Sequence, residues 1–207
     1  MIYKLLYISL LCLLTTSMHA QTSIEKNSIS EFNAGKTIEY FSNGQGKSQG
    51  LKIHLKYPQS WKSLEGRHPH VLVDLVQPGN YVNALLMVRK SNDIFTKPEI
   101  SHLLSKEGLN MFVPPNGSYI SSNSNIQIEG QRAGLVNYTM TGKRMNRVFF
   151  SYSSAYIVIY QDYIFTLTFM VTNKIGESES SVKNRYDAIK PLFGQMFNSI
   201  VIDNIWE

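Results

Sequence analysis

Leu51, Ile53, Leu55 and Tyr57 alternate with Lys52, His54 and Lys56. That period of two predicts a half-buried strand, ended by Pro58. Val71–Val76 is a second apolar run, stopped by Pro78-Gly79, and Ala84–Val88 follows a short Gly/Asn loop as its hairpin partner. Thr96-Lys97-Pro98-Glu99 then has capping-box spacing, with proline in the first turn where a missing N–H costs little. Ile100, Leu103, Leu104 and Met111 give that helix its apolar stripe, and Pro114-Pro115-Asn116-Gly117 ends it.

From Asn125 the chain reads as strand, turn, strand. Ile126–Ile128 precedes a turn at Glu129-Gly130; Leu135–Met140 leads to a polar tip, Thr141–Asn146; Val148–Tyr160 is long and aromatic. Gln161-Asp162 is a tight turn before Ile164–Val171, a central strand by its unbroken apolar character. Between Ser178 and Asn198, Val182, Tyr186, Ile189, Phe193, Met196 and Phe197 recur at helical spacing. Pro191 predicts a kink or break near Lys190. Val201 and Ile202 are expected to close the sheet at its edge. Strand-rich stretches around two helices, joined by short turns, define an α+β fold: a mostly antiparallel sheet with helices on its faces. The regular βα alternation of a nucleotide-binding parallel sheet is missing. Residues 51–207 are read as one domain. Ahead of it, 21–50 is rich in Ser, Asn, Gly and Lys, and predicts a flexible leader carrying one short strand.

Composition changes this picture at the N-terminus. Lys4, an apolar run from Leu5 to Leu14 and a small, polar stretch ending in Ala20 have the layout of a cleavable secretory signal. The run is too short to cross about 30 Å of hydrocarbon. The expectation is an exported protein, periplasmic or secreted, cleaved after Ala20. The single cysteine, Cys12, leaves with that peptide. Thiolate catalysis, disulfides and sulfur-ligated metal are then excluded. The formal charge of +5 is a mild excess, and export makes nucleic acid an unnatural partner.

No catalytic constellation emerges from the motifs. Gly-x-Ser-x-Gly is absent, and Gly44-Gln45-Gly46-Lys47-Ser48 lacks both phosphate-loop spacing and a strand–loop–helix context. His68-Pro69-His70 offers two imidazoles, but Glu65 and Asp74 nearby lack metal-site spacing, so a polar loop is the reading and no metal or cofactor is expected. Glu177 and Glu179 precede the last helix, where acids favour its dipole. Trp61 and Tyr138, Tyr152, Tyr156, Tyr160 and Tyr163 are placed in the core. Asn116 and Asn137 begin glycosylation sequons that matter only in a eukaryotic secretory pathway. One charge cluster stands out: Lys143, Arg144 and Arg147 at the predicted hairpin tip. Such a tip contacts an acidic protein surface, a polyanion or anionic lipid heads. The alternative, which the sequence favours, is protection of sheet ends and solubility.

The segment Leu51–Trp61, with Tyr57-Pro58 and Trp61 after its strand, resembles the opening of PsbP-like proteins. Gly130-Gln131-Arg132-Ala133-Gly134-Leu135 and Phe197-Asn198-Ser199-Ile200 are similar to that family's turn-entered strand and closing segment. The resemblance runs in outline from Leu51 to Asn204 and implies an α/β/α sandwich. It also implies a protein that binds other macromolecules, since the family includes a photosystem accessory subunit, a nuclear Ran-binding factor, bacterial envelope proteins and chaperones for secreted effectors. The expectation is therefore an exported, non-enzymatic binding or accessory protein that recognises another protein in the envelope. An immunity protein against a delivered toxin is its narrower form. A small-ligand or lipid carrier and a hydrolase with dispersed acid/base residues are the alternatives, and an anionic envelope surface is a second acceptable partner.

Overall fold

A computed structural model describes residues 25–144 and 147–207, the side chains of residues 144 and 147 excepted. The expected signal, residues 1–20, lies outside them. Helix α1 (25–33) leads into β1 (Thr37–Phe41), β2 (Ile53–Pro58), β3 (Lys62–Glu65), β4 (Val71–Val76) and β5 (Val82–Lys90). Two short helices follow, α2 (Lys97–Leu103) and α3 (Lys106–Asn110). Then come β6 (Gly117–Ile128), β7 (Gln131–Arg144), β8 (Arg147–Tyr160), β9 (Tyr163–Thr172), α4 (Glu179–Asn198) and β10 (Val201–Ile202). Among the described residues the main sheet has the order β3-β4-β5-β9-β8-β7-β6, and β1-β2-β10 forms a small second sheet. Every pairing is antiparallel. The α+β architecture expected from the alternation of patterns is the one observed.

Alternation along β8 assigns the two faces of the main sheet. Tyr152, Tyr156, Val158 and Tyr160 pack with α4 and β2 on one side. Ala155, Ile157 and Ile159 pack with Leu104 and Leu109, from the α2–α3 segment, on the other. Phe193 of α4 stacks on Phe169 with ring centroids 4.3 Å apart, and Phe197 stacks on Tyr156 at 4.5 Å. The Tyr156 phenol is pushed up to about 12 by this burial.

Four elements differ from expectation. Helix α4 continues through Pro191, which lies on its exposed side, between the fully buried Ile189 and Leu192. Burying Ile189, Leu192 and Phe193 contributes roughly 1.5–3 kcal/mol each, more together than the roughly 3 kcal/mol a mid-helix proline costs. The single helix predicted from Thr96 is two, because Ser105 caps a new start by accepting the Gly108 N–H at 3.1 Å. In place of a loose leader, α1 and β1 are tied down: Trp61 Nε1 donates to Ser28 Oγ at 3.0 Å, and β1 pairs along β2. Strand β10 also pairs with β2, so it closes the small sheet and not the main one.

Candidate functional site

Lys143, Arg144 and Arg147 stand where β7 and β8 outrun their neighbours. The β6–β7 ladder stops at Gly117↔Met140 and the β8–β9 ladder at Ser151↔Thr172. Residues 141–144 and 147–150 therefore ladder only with each other, a two-stranded ribbon about 13 Å long. Its last rung is Arg144↔Arg147, and the rung before it is Lys143↔Val148. The side chains of Arg144 and Arg147 fall outside the described residues; Lys143 is exposed and has no ion-pair partner among them. The Phe149 ring lies over Gly142, where a Cβ would come within 2.5 Å of it. Val148 is 61% exposed.

The loop after β9 is stapled to this ribbon. Phe150 N donates to Asn173 Oδ1 at 3.0 Å, and Asn173 N donates to the Phe150 carbonyl at 3.2 Å. This sets Ile175, 80% exposed, beside Val148 and Phe149 across an open groove of about 300 Å³. Sequence reasoning missed Ile175, since only tertiary hydrogen bonds bring it to the tip.

Arg185 holds the base of that loop. It is buried in α4, pairs with Glu177, and donates from Nη1 to the Thr172 carbonyl at 2.9 Å. Its Nε lies 3.9 Å from Glu25 of α1. The Tyr81 ring takes Arg185 at 5.6 Å and Lys174 at 4.9 Å. Glu177 accordingly serves a buried ion pair, while Glu179, in the first turn of α4, accepts from the Tyr152 hydroxyl at 3.1 Å. Burial holds the Glu25 carboxyl above its ordinary 4.5, opposed by its own backbone N–H and by Arg185. A proton held more tightly when folded stabilises the fold below 4.5, and that contribution is lost as pH rises through the raised value. Glu25→Gln is expected to flatten the fall in stability between 4.5 and the raised value in thermal melts across pH. An unchanged slope would contradict this role for Glu25.

On the opposite face of the sheet, α2 and α3 cover only one end. Beyond them lies a cavity of about 380 Å³, between the strands carrying Met87, Ala155, Ile164 and Thr166 and the segment Met111–Pro115. Arg89 and the buried Tyr138 also line it. Burial raises the Tyr138 phenol above 10.0, the nearby Ser153 hydroxyl opposing, so it stays protonated at neutral pH. Met111, expected in a helical stripe, is 74% exposed at the rim.

The His68 and His70 rings stack at 6.2 Å, and among the described residues no three His, Cys, Asp or Glu converge as a metal set. Lys47, in the glycine-rich stretch, donates to Glu65 at 2.9 Å and tethers the loop to β3. Asn137 is buried, and its Oδ1 accepts from Ser154 at 2.8 Å and Tyr186 at 3.0 Å, so this fold has no room for a glycan there. Asn116 is exposed and donates to the Thr141 carbonyl. Trp61 and the five tyrosines are all in the core. Among the described residues, no helix is long and apolar enough to cross a membrane.

An antiparallel main sheet between a long helix with a small sheet on one face and a short helical pair on the other defines the class of this protein. The same fold occurs in the Saccharomyces cerevisiae Ran-binding protein Mog1p, 10% identical, covering 80% of this chain and 95% of that one with a TM-score of 0.50. A structure from Bacteroides thetaiotaomicron is 13% identical over 81% of this chain, with a TM-score of 0.44. This chain spans about half of its length, covering 48%. LpqN of Mycobacterium tuberculosis, described as involved in cell envelope biogenesis, is 15% identical over 75% of this chain and 88% of its own, with a TM-score of 0.42. The chain matches no family model and no curated protein. At these identities the likeness is one of fold.

Proposed function

We propose that this chain is an exported, non-enzymatic binding protein of the PsbP-like kind, which engages an acidic protein surface in the cell envelope through the β7–β8 ribbon. The observation that carries this reading is the ribbon itself. It extends past both neighbouring strands and joins Lys143, Arg144 and Arg147 to the exposed Val148 and Ile175. Like charges opposite one another destabilise a ladder, and the last rung places Arg144 opposite Arg147. Apolar anchors within a charged rim are the composition of a protein-binding patch, and the charge steers encounter with an acidic partner. The signal-like residues 1–20 support export.

The test replaces Lys143, Arg144 and Arg147 together by glutamate. Stoichiometric co-purification of one envelope protein with the unaltered chain should weaken with rising salt and fall by about tenfold or more in the variant. Thermal unfolding should be unchanged. Capture undiminished by the charge reversal would exclude the ribbon, and equal binding to anionic vesicles would reassign it to lipid. Within this reading, an immunity role predicts that a deletion strain dies beside toxin-delivering siblings and that the partner is that toxin; survival counts against it.

A further inference from the structure

The sheet-face cavity belongs neither to the ribbon nor to the Arg185 cluster. Its volume of about 380 Å³ lies in the range of small-molecule sites. Most of its lining is apolar, and Met87 and Met111 are adaptable side chains that accept varied shapes. Arg89, Tyr138, Thr166 and Thr168 break this lining with polar groups. Arg89 has no ion-pair partner among the described residues. Thr166 is 9% exposed, and its hydroxyl is buried without a hydrogen-bond partner. An unmade buried hydrogen bond is costly unless something supplies the missing partner. In the β5–β9 register Arg89 opposes Ile164 and Met87 opposes Thr166, so Arg89 and Thr166 are diagonal neighbours, about 7–8 Å apart along the backbone. Of the other two staggered χ1 positions, one carries the Thr166 hydroxyl to where its methyl stands. Arg89 and Thr166 both line the cavity, as do Phe112, Val113 and Ile164.

We propose that this cavity binds a small anionic amphiphile: an apolar body ending in a carboxylate or sulfonate that pairs with Arg89. Cation and planar donor fork suit such a head, while the enclosing Met111–Pro115 segment suits a single chain or a fused-ring body. The occupant is a free molecule and not a bilayer lipid.

The experiment loads the mature chain with 1-anilinonaphthalene-8-sulfonate, then displaces it with dodecanoate or dodecan-1-ol below their aggregation concentrations. Saturable displacement is expected, with the acid about tenfold better than the alcohol. Arg89→Gln should erase that preference while leaving the alcohol unaffected. Thr166→Val should weaken dodecanoate without lowering the melting temperature, because it removes an unpaired hydroxyl from the floor. The glutamate-substituted ribbon variant should bind dodecanoate as the unaltered chain does. Absence of saturable displacement overturns the proposal, as does an acid-to-alcohol ratio that survives Arg89→Gln. Phosphatidylglycerol vesicles displacing the probe as well as free dodecanoate, per acyl chain, would also overturn it.

Discussion

Arg185→Met is expected to lower the unfolding free energy by about 3–5 kcal/mol, because removing one member of a buried ion pair leaves the remaining charge uncompensated. Here the loss falls on two acids. Glu177 is its direct partner, and Glu25 faces its Nε at 3.9 Å. The Thr172 carbonyl loses a donor as well. A urea midpoint measured at neutral pH reads the effect. Replacing Glu25 and Glu177 by glutamine in the same chain should recover most of it, since neutral amides need no counter-charge. A single Arg185→Met variant within about 0.5 kcal/mol of the unaltered chain would show that water, and not the guanidinium, solvates the two acids.

Phe193→Ala carries the second large effect, about 3–5 kcal/mol, from lost transfer energy and from the cavity left behind. Phe193 is fully buried, stacks on Phe169 at 4.3 Å and meets Tyr186 edge-on at 6.1 Å. It also follows Pro191 by two positions, so it belongs to the packing that keeps α4 continuous past a missing backbone hydrogen bond. Helicity measured by circular dichroism should therefore fall together with stability. Phe41→Ala is the control: with 62% exposure, Phe41 should change stability by no more than about 0.5 kcal/mol. Equal effects at the two positions would refute the assignment of the core.

Elements that bury a regular apolar face were legible in the sequence, and those held by polar atoms were not. The alternation in β2, the apolar runs of β4, β5 and β9, and the helical stripe of α4 all form the elements expected of them. Strand β6 begins Gly-Ser-Tyr-Ile-Ser-Ser-Asn-Ser-Asn, and only its last residues carry a strand signal. It forms because β7 offers a ladder, with two irregularities where the pattern is weakest. Helix α1 was invisible for a related reason. Its anchors are the Ser28 hydroxyl and the Glu25 carboxylate, which read as a solvated leader until Trp61 and Arg185 are placed opposite them. The basic tip could be read locally because Lys143, Arg144 and Arg147 are close in sequence. Ile175 joins it through Asn173, and Arg89 meets Thr166 only through strand register; neither relation has a linear signature.

The attachment of α1 makes one corner of the molecule a single cooperative latch. Trp61 and Gln77 both donate to Ser28, and Glu25 sits on the arginine that anchors the loop behind the ribbon. Trimming the protein back to the start of β1 would undress an indole and a guanidinium together. A cut within this helix would therefore release the hydrogen bonds to Ser28 and the contact of Glu25 with Arg185 in one step.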